Sequence, residues 1–239
     1  MKPTIVILHG WGMSAKRFDS LTQELRQRGH EVLAFDLPGF GESKSPVRPY
    51  ALSDYAEYVH TYLEKEHILS PIFIGHSFGG RISLRYATLY PKSIRTLILT
   101  GTPGFTPVSR KKLLLFISIA KIGKSVLSLP TLNFLSETLR KWYYYLVGAK
   151  EFYRAEGTMR DTFKNVVAEP LLEDMQKISV PCLLLWGEKD MIVPVGIAIR
   201  MQQTIHGSIL KIIEGFGHNV PNTASKLFVD EVEHFLLQS

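Results

Sequence analysis

The stretch that decides the fold runs Ile72-Phe73-Ile74-Gly75-His76-Ser77-Phe78-Gly79-Gly80. An apolar run typical of a buried strand leads into Gly-x-Ser-x-Gly, and apolar residues at helical spacing follow as far as Pro91. A chain that turns this sharply leaves the serine in a strained conformation with its hydroxyl exposed, and the flanking glycines remove Cβ atoms that would clash. The stretch therefore predicts Ser77 as a nucleophile, with the amino end of a helix favouring negative charge beside it.

Five other short apolar runs indicate further strands. Continuous apolar runs of this length are typical of strands buried on both faces of a parallel sheet. Helical spacing lies between them, so we expect a doubly wound α/β sheet of about six parallel strands. The predicted strands are Thr4–Leu8, Val32–Asp36, Ile72–Gly75, Ile94–Thr100, Cys182–Trp186 and Ile209–Ile213; the predicted helices include Ser14–Arg28 (N-cap Ser14), Ser53–Lys65, Gly79–Tyr90 and Asn222–Leu237.

The strand–helix alternation breaks once, between residues 104 and 170, where the pattern is helical throughout. A helical insertion between two strands predicts a lid over the carboxyl edge of the sheet, which is where such sheets bind ligands. We therefore assign residues 1–103 and 171–239 to an α/β core and residues 104–170 to a helical lid, all within a single domain.

The lid segment also carries the whole charge excess of the chain. The net charge is +6, and residues 105–170 alone hold 11 Lys and Arg against 5 Asp and Glu. Arg110-Lys111-Lys112 and Arg140-Lys141 each precede apolar or aromatic residues, among them Trp142. This suits a lid that shields an acyl chain, with Trp142 touching substrate and a basic face open to an anionic carrier, a phospholipid headgroup or an acidic substrate. Alternatively, the basic residues only keep a helical cap in solution. No nucleic-acid recognition module is present, so we expect no such partner.

The base and the acid should follow the serine, in the order acid and then histidine. Of the late histidines, His218 lies in a glycine-rich loop after the last predicted strand, whereas His206 precedes that strand and His234 falls within a helix. The acid that orients the imidazole should end the strand before it, where Trp186-Gly187-Glu188-Lys189-Asp190 offers two carboxylates. We favour Asp190 and keep Glu188 as the alternative.

Two backbone N–H groups are needed where a substrate carbonyl oxygen becomes negative. The amide of Phe78, directly after the nucleophile, is one. The other should come from His9-Gly10-Trp11-Gly12 at the end of the first strand, and Trp11 is the best candidate. We expect Trp11 and Phe78 to contact substrate as well. His9 should orient this loop, and Asp36 should hold the glycine-rich turn that follows it.

These blocks resemble the α/β-hydrolase superfamily, and within it small bacterial carboxylesterases that include the pimeloyl-carrier-protein methyl ester esterases. The resemblance rests on His9-Gly10-Trp11-Gly12, Asp36-Leu37-Pro38-Gly39-Phe40-Gly41-Glu42-Ser43, Gly75-His76-Ser77-Phe78-Gly79-Gly80, Trp186-Gly187-Glu188-Lys189-Asp190 and Gly217-His218. It implies hydrolysis of a small-molecule ester through an acyl-enzyme, without a cofactor or metal.

The chain departs from the superfamily pattern in two places. It has no room for the antiparallel hairpin that usually precedes the strand ending in His9-Gly10, and the insertion contains no motif that can be matched. Relatives that open epoxides or cleave carbon–halogen bonds resemble the pattern with an aspartate nucleophile, so Ser77 argues against both reactions. Another acyl bond (a lactone, a thioester or the carbon–carbon bond of a diketone) stays open as the substrate, and so does a ligand-binding receptor on the same fold.

Composition places the chain among ordinary globular proteins, with 239 residues, 45% of them hydrophobic and 21% charged. Cys182, the single cysteine, lies in an apolar run and is expected to be a small buried residue. The amino-terminal apolar run is too short for a signal-peptide core, and no apolar run reaches the roughly 20 residues of a membrane span. We therefore expect a cytoplasmic protein without a transmembrane segment.

Overall fold

The structure is a computed structural model that describes residues 3–105 and 156–238. Its strands form one sheet in the order β2-β1-β3-β4-β5-β6, and every neighbouring pair is parallel. Because β1 lies between β2 and β3, the winding direction of the chain reverses there, which opens a crevice at the carboxyl ends of β1 and β3. The strands are β1 (Ile5–Leu8), β2 (Val32–Ala34), β3 (Ile72–His76), β4 (Thr96–Thr100), β5 (Cys182–Gly187) and β6 (Ile209–Ile213).

The helices connect these strands and cover both faces of the sheet. In the described part of the chain they are a 3-10 turn (Ala15–Phe18), α1 (Asp19–Gln27), α2 (Leu52–Lys65), α3 (Phe78–Leu89), α4 (Gly157–Ala168), α5 (Leu172–Gln176), α6 (Val195–Thr204), α7 (Val220–Thr223) and α8 (Ser225–Leu236).

The core has two layers because successive residues of a strand point to opposite faces. Ile72 and Ile74 of β3 pack in the layer that α1 and α8 cover. Phe73, between them, packs in the layer that α2, α3, α5 and α6 cover. Central strands buried on both faces explain why the sequence shows continuous apolar runs rather than alternation.

The predicted fold class is confirmed: an α/β-hydrolase-type sheet of six parallel strands. Both edge strands differ from the expectation of burial on both faces, and Leu33 and Ala34 of β2 are only partly buried. β6 is an edge strand, and Ile209 and Ile212 are exposed, because nothing pairs with its outer side in the described sheet. The predicted first helix is a 3-10 turn followed by α1. Ser14 stands at the N-cap without a side-chain cap bond, and the Asp36 carboxylate accepts the Ala15 N–H at 2.7 Å.

Most of the predicted lid lies outside the described residues, including both basic clusters and Trp142, so its shape and its substrate contact stay predictions. The division into core and lid at residues 104 and 170 stays a prediction too. Of the segment 104–170, the structure describes its two ends, and α4 packs onto the core through the buried side chains of Thr162 and Val166. In the ranges described, no helix has the length and apolar character needed to cross a bilayer. The cytoplasmic location stays a prediction.

Candidate active site

Ser77 occupies a strained turn between β3 and α3. Its φ of 52° and ψ of −111° lie in a region that non-glycine residues rarely adopt. The turn is tight enough that a Cβ atom on Gly79 would lie 2.0 Å from the Leu8 carbonyl oxygen, and one on Gly75 would lie 2.6 Å from the Cα atom of Gly80. The two glycines around Ser77 are therefore required by packing, as the sequence pattern predicts.

Asp190 and His218 meet across two loops at the same edge of the sheet. Asp190 follows β5 and is 4% exposed, and its Oδ2 atom lies 2.8 Å from His218 Nδ1. Its Oδ1 atom accepts the backbone N–H groups of Ile192 and Val193 at 2.9 and 2.8 Å. Both oxygens of the carboxylate are engaged, so its orientation toward the imidazole is fixed.

Glu188, the alternative acid, has a different task. Its Oε2 atom accepts the backbone N–H of Gly215 at 2.9 Å, and its own N–H donates to the Ile213 carbonyl at 3.0 Å. The side chain is exposed and braces the turn after β6. Of the two carboxylates that the sequence offers, Asp190 is therefore the one that faces His218.

Residues adjacent to Ser77 and to its hydrogen-bond partner contact His218, which places the imidazole close to the serine. Its ring centroid is 4.8 Å from that of His76, the residue before Ser77. A Cβ atom on Gly101 would lie 2.7 Å from His218 Cε1, and Thr100, the residue before Gly101, accepts the Ser77 N–H at 2.9 Å. The structure shows no hydrogen bond between the Ser77 hydroxyl and any residue that it describes.

The loop after β1 is held by His9, which is fully buried. His9 Nε2 accepts the Leu37 N–H at 3.0 Å, so the proton sits on Nδ1, which donates to the Gly10 carbonyl at 2.9 Å. Burial lowers the pKa of His9, and the bond to Gly10 only partly opposes this. Asp36 accepts N–H groups of Ala15 and Glu42 and so holds the neighbouring turn. Both residues orient loops, as expected.

The amides of Trp11 and Phe78 belong to residues close to Ser77. Phe78 is the first residue of α3, so its N–H has no acceptor within the helix. Trp11 follows Gly10, on which a Cβ atom would stand 3.4 Å from Ser77 Cβ. None of the described loop hydrogen bonds uses the Trp11 N–H. Two backbone donors are therefore free beside Ser77, within the described ranges.

An aromatic cluster adjoins these amides. The Trp11 ring makes edge-to-face contacts with Phe40, Phe78 and Phe163, at centroid distances of 4.8, 5.2 and 4.9 Å. Phe163 comes from α4, at the end of the segment assigned to the lid. Sequence reasoning missed Phe163 because no motif surrounds it; its place on a helical face was the only available signal.

His76 is a second residue that sequence reasoning left without a role. It is fully buried, and neither ring nitrogen has a hydrogen-bond partner in the described part of the chain. Burial lowers the pKa of His76 to about 3, and the neighbouring His218 acts in the same direction. His76 therefore stays neutral beside the imidazole of His218 at ordinary pH.

The single cysteine and a cavity in the described part of the structure both lie away from this site. Cys182 is buried in β5, where burial raises the pKa of its thiol to about 12, so it is an inert core residue. Within residues 3–105 and 156–238 no cluster of His, Cys, Asp and Glu is suited to hold a metal ion. A cavity of about 500 Å³ opens between His30, Arg95 and Leu236, at the amino ends of the strands and thus opposite the edge that carries Ser77.

The parallel sheet, the strained serine and the acid–histidine pair on later loops define the α/β-hydrolase class. A family model described as serine aminopeptidase, S33, matches residues 1–223. The chain belongs to this family.

The chain is similar in sequence or in fold to several named proteins. Over 250 residues the chain is 26% identical to the uncharacterized hydrolase YugF of Bacillus subtilis (strain 168), covering 98% of this chain and 90% of that protein. It is 26% identical over 253 residues to the monoacylglycerol lipase ABHD6 of Bos taurus, covering 96% and 75%. The crystal structure of a bromoperoxidase from Bacillus anthracis has a TM-score of 0.75 at 20% identity, covering 99% and 92%, which shows the shared fold. The chain is a hydrolase of this superfamily.

Proposed function

We propose that the protein hydrolyses carboxylic esters through an acyl-enzyme, with Ser77 as nucleophile, His218 as base and Asp190 as orienting acid. The observation that carries the proposal is the 2.8 Å contact between Asp190 Oδ2 and His218 Nδ1, on loops that converge beside a strained serine. Because Asp190 holds the Nδ1 proton, Nε2 is the nitrogen left to accept the proton of the serine hydroxyl.

The reaction runs in two halves. Ser77 Oγ attacks the ester carbonyl while His218 takes its proton, and the oxyanion is held by the N–H groups of Trp11 and Phe78. The imidazolium then protonates the departing alcohol, which leaves an acyl group on Ser77. A water molecule gives its proton to His218 and attacks the acyl carbonyl, and proton return to Ser77 releases the carboxylic acid. No group besides these residues is needed to move the protons.

Two features support an ester as the substrate. The similarity to a monoacylglycerol lipase supports ester hydrolysis for this chain as well. The aromatic cluster of Trp11, Phe40, Phe78 and Phe163 beside the amides offers an apolar surface to an acyl group. An anionic carrier or headgroup at the basic lid remains part of the sequence-based prediction, since that segment lies outside the described residues.

A nitrophenyl ester assay tests the reaction. We expect measurable turnover of nitrophenyl acetate, and a loss of about 10³-fold or more in the Ser77→Ala variant, because the residual rate comes only from binding and the amide donors. Turnover within tenfold of the wild type in that variant would overturn the proposal. Faster cleavage of lactones or thioesters than of esters would instead reassign the substrate, and bromide- and peroxide-dependent halogenation without Ser77-dependent hydrolysis would reject the reaction class.

A further inference from the structure

Arg81 lies one helical turn after Ser77 on α3 and is 3% exposed, yet no step of the proposed reaction uses it. Its Nη1 atom donates to the carbonyl of Pro103, at 2.5 Å. Nε and Nη2 both donate to the carbonyl of Val166, at 3.1 and 2.8 Å, and Nη2 also reaches the carbonyl of Glu169, at 2.6 Å. One buried guanidinium thus binds the chain just after β4 and again at the carboxyl end of α4.

The contacts on the return side cap a helix. Val166 lies in the last turn of α4 and Glu169 is its C-cap residue, so no N–H group of the helix donates to their carbonyls. A cation at this end also opposes the partial negative charge of the helix carboxyl terminus. Burial lowers the pKa of Arg81 to about 10, which still leaves it charged at neutral pH. The planar guanidinium carries N–H groups on three separate nitrogens and so reaches three carbonyls that lie apart, whereas a lysine offers all of its N–H groups from a single nitrogen.

Arg85, the next residue on the same face of α3, contacts the same return segment differently. It pairs with the carboxylates of Glu169 and Asp174, at 3.3 and 3.2 Å. Its bonds go to side chains, whereas those of Arg81 go to the backbone. Replacing Arg85 therefore removes a charge from this region without releasing the backbone of α4, which makes it a matched control for Arg81.

The part of α4 that precedes Val166 contacts the aromatic cluster of Trp11, Phe40 and Phe78. Phe163 contacts the Trp11 ring, and Met159, one turn earlier, packs so closely on Gly39 that a Cβ atom there would lie 2.3 Å from the Met159 sulfur. The Thr162 hydroxyl accepts the Tyr50 N–H at 3.0 Å. Because Phe163 lies within one turn of Val166, the bonds that hold the carboxyl end of α4 help to set where Phe163 stands over Trp11.

We propose that Arg81 is a positioning residue that ties both ends of the insertion to the nucleophile-bearing helix and thereby holds Phe163 of α4 against Trp11 as a wall for the acyl chain. This inference rests on the proposed ester hydrolysis. It assigns acyl-chain preference to a pair of residues, Arg81 acting through Phe163, neither of which takes part in the chemical steps.

The test compares Arg81→Lys, Arg85→Gln, Phe163→Ala and the double variant Arg81→Lys/Phe163→Ala on nitrophenyl acetate and nitrophenyl octanoate. Arg81→Lys should raise KM for the octanoate about tenfold, because the wall is displaced, while kcat for the acetate stays within threefold of the wild type. Phe163→Ala should also raise KM for the octanoate, and the double variant should raise that KM no further than Phe163→Ala alone. Arg85→Gln should leave the ratio of kcat/KM for the two esters unchanged.

Amide hydrogen exchange supplies a readout without substrate. In Arg81→Lys the peptide spanning residues 157–168 should exchange at least several-fold faster than in the wild type, with α3 unaffected. Any of four outcomes would overturn the positioning role. The ratio of kcat/KM for the two esters could stay unchanged in Phe163→Ala, or the effects of Arg81→Lys and Phe163→Ala could add in the double variant. Arg85→Gln could change the ratio as much as Arg81→Lys does, or the Arg81→Lys protein could fail to fold. Absence of Ser77-dependent turnover in the wild type would reject the proposed function itself, a result that none of these outcomes produces.

Discussion

Asp190 divides its two oxygens between two tasks. Oδ1 is anchored by the Ile192 and Val193 amides, and Oδ2 is left for His218. An asparagine at this position can keep the anchor through its carbonyl oxygen but then turns an NH₂ group toward the imidazole, which stabilises the wrong tautomer. Asp190→Asn should therefore lower kcat for an ester by about 10³–10⁴-fold while the protein stays folded. Steady-state kinetics and a urea unfolding curve measure the two effects.

Glu188→Gln is the matched control for this change. It alters the other carboxylate of the same loop, whose contact is with the Gly215 amide. We expect kcat within about threefold of the wild type, since an amide oxygen can still accept that N–H. A large loss in Glu188→Gln together with a small one in Asp190→Asn would exchange the roles of the two acids.

His76 should make the stability of the protein depend on pH. Its pKa is about 3 in the folded state and 6.5 in the unfolded reference, so the unfolded chain binds more protons between these values. Stability therefore falls as pH drops below about 6.5. From pH 7 to pH 5 the loss due to His76 should be about 2 kcal/mol in the free energy of unfolding.

Urea unfolding at the two pH values checks this. His76→Met, which fills similar space without a titrating group, should show a loss smaller than that of the wild type by this amount. His206→Gln removes an exposed histidine and should leave the pH dependence unchanged. Equal pH dependence in the wild type and His76→Met would show that His76 does not control acid stability.

At the scale of elements, the contact between α3 and β1 decides where Ser77 stands. Gly79 permits this contact because a Cβ atom would strike the Leu8 carbonyl oxygen. Gly79→Ala should therefore destabilise the protein by roughly 1–3 kcal/mol, against the normal gain for alanine in a helix. Ester turnover should fall as well, because α3 carries the Phe78 amide.

Gly196→Ala on α6 is the control for the element-scale change, measured by the same urea curves. A Cβ atom there meets nothing within 4 Å, so stability should stay the same or rise by up to about 1 kcal/mol. If Gly79→Ala were as stable and as active as the wild type, the close approach of α3 to β1 would not be a constraint on the site.

At the scale of the whole molecule, parallel strands bring residues that are distant in sequence to one edge. The carboxyl ends of β1, β3, β4, β5 and β6 all point there. The loops that follow β1, β3, β5 and β6 carry the amide of Trp11, Ser77, Asp190 and His218, and the loop after β4 passes beside His218. The order of these residues along the chain follows from the order of the strands.

The fold could be predicted because buried parallel strands leave local signals: uninterrupted apolar runs, each ending in a glycine-rich or polar turn. The predicted strand bounds differ from the observed ones by at most two residues. Burial of β6 was mispredicted, because its apolar letters do not reveal that it lies at an edge. The contacts of Arg81 and Phe163 were missed for another reason: they join segments that are distant along the chain, which leaves no spacing pattern in the sequence.

Ser77 is central to every part of this account, and covalent labelling tests it most directly. Incubation with a fluorophosphonate, followed by mass spectrometry of the intact protein and its peptides, should show one adduct, located on Ser77. The Ser77→Ala variant should show none, and Asp190→Asn should label far more slowly, because His218 is held in the wrong tautomer. A wild-type protein that forms no adduct, or an adduct that persists in Ser77→Ala, would contradict the assignment of Ser77 as an activated nucleophile.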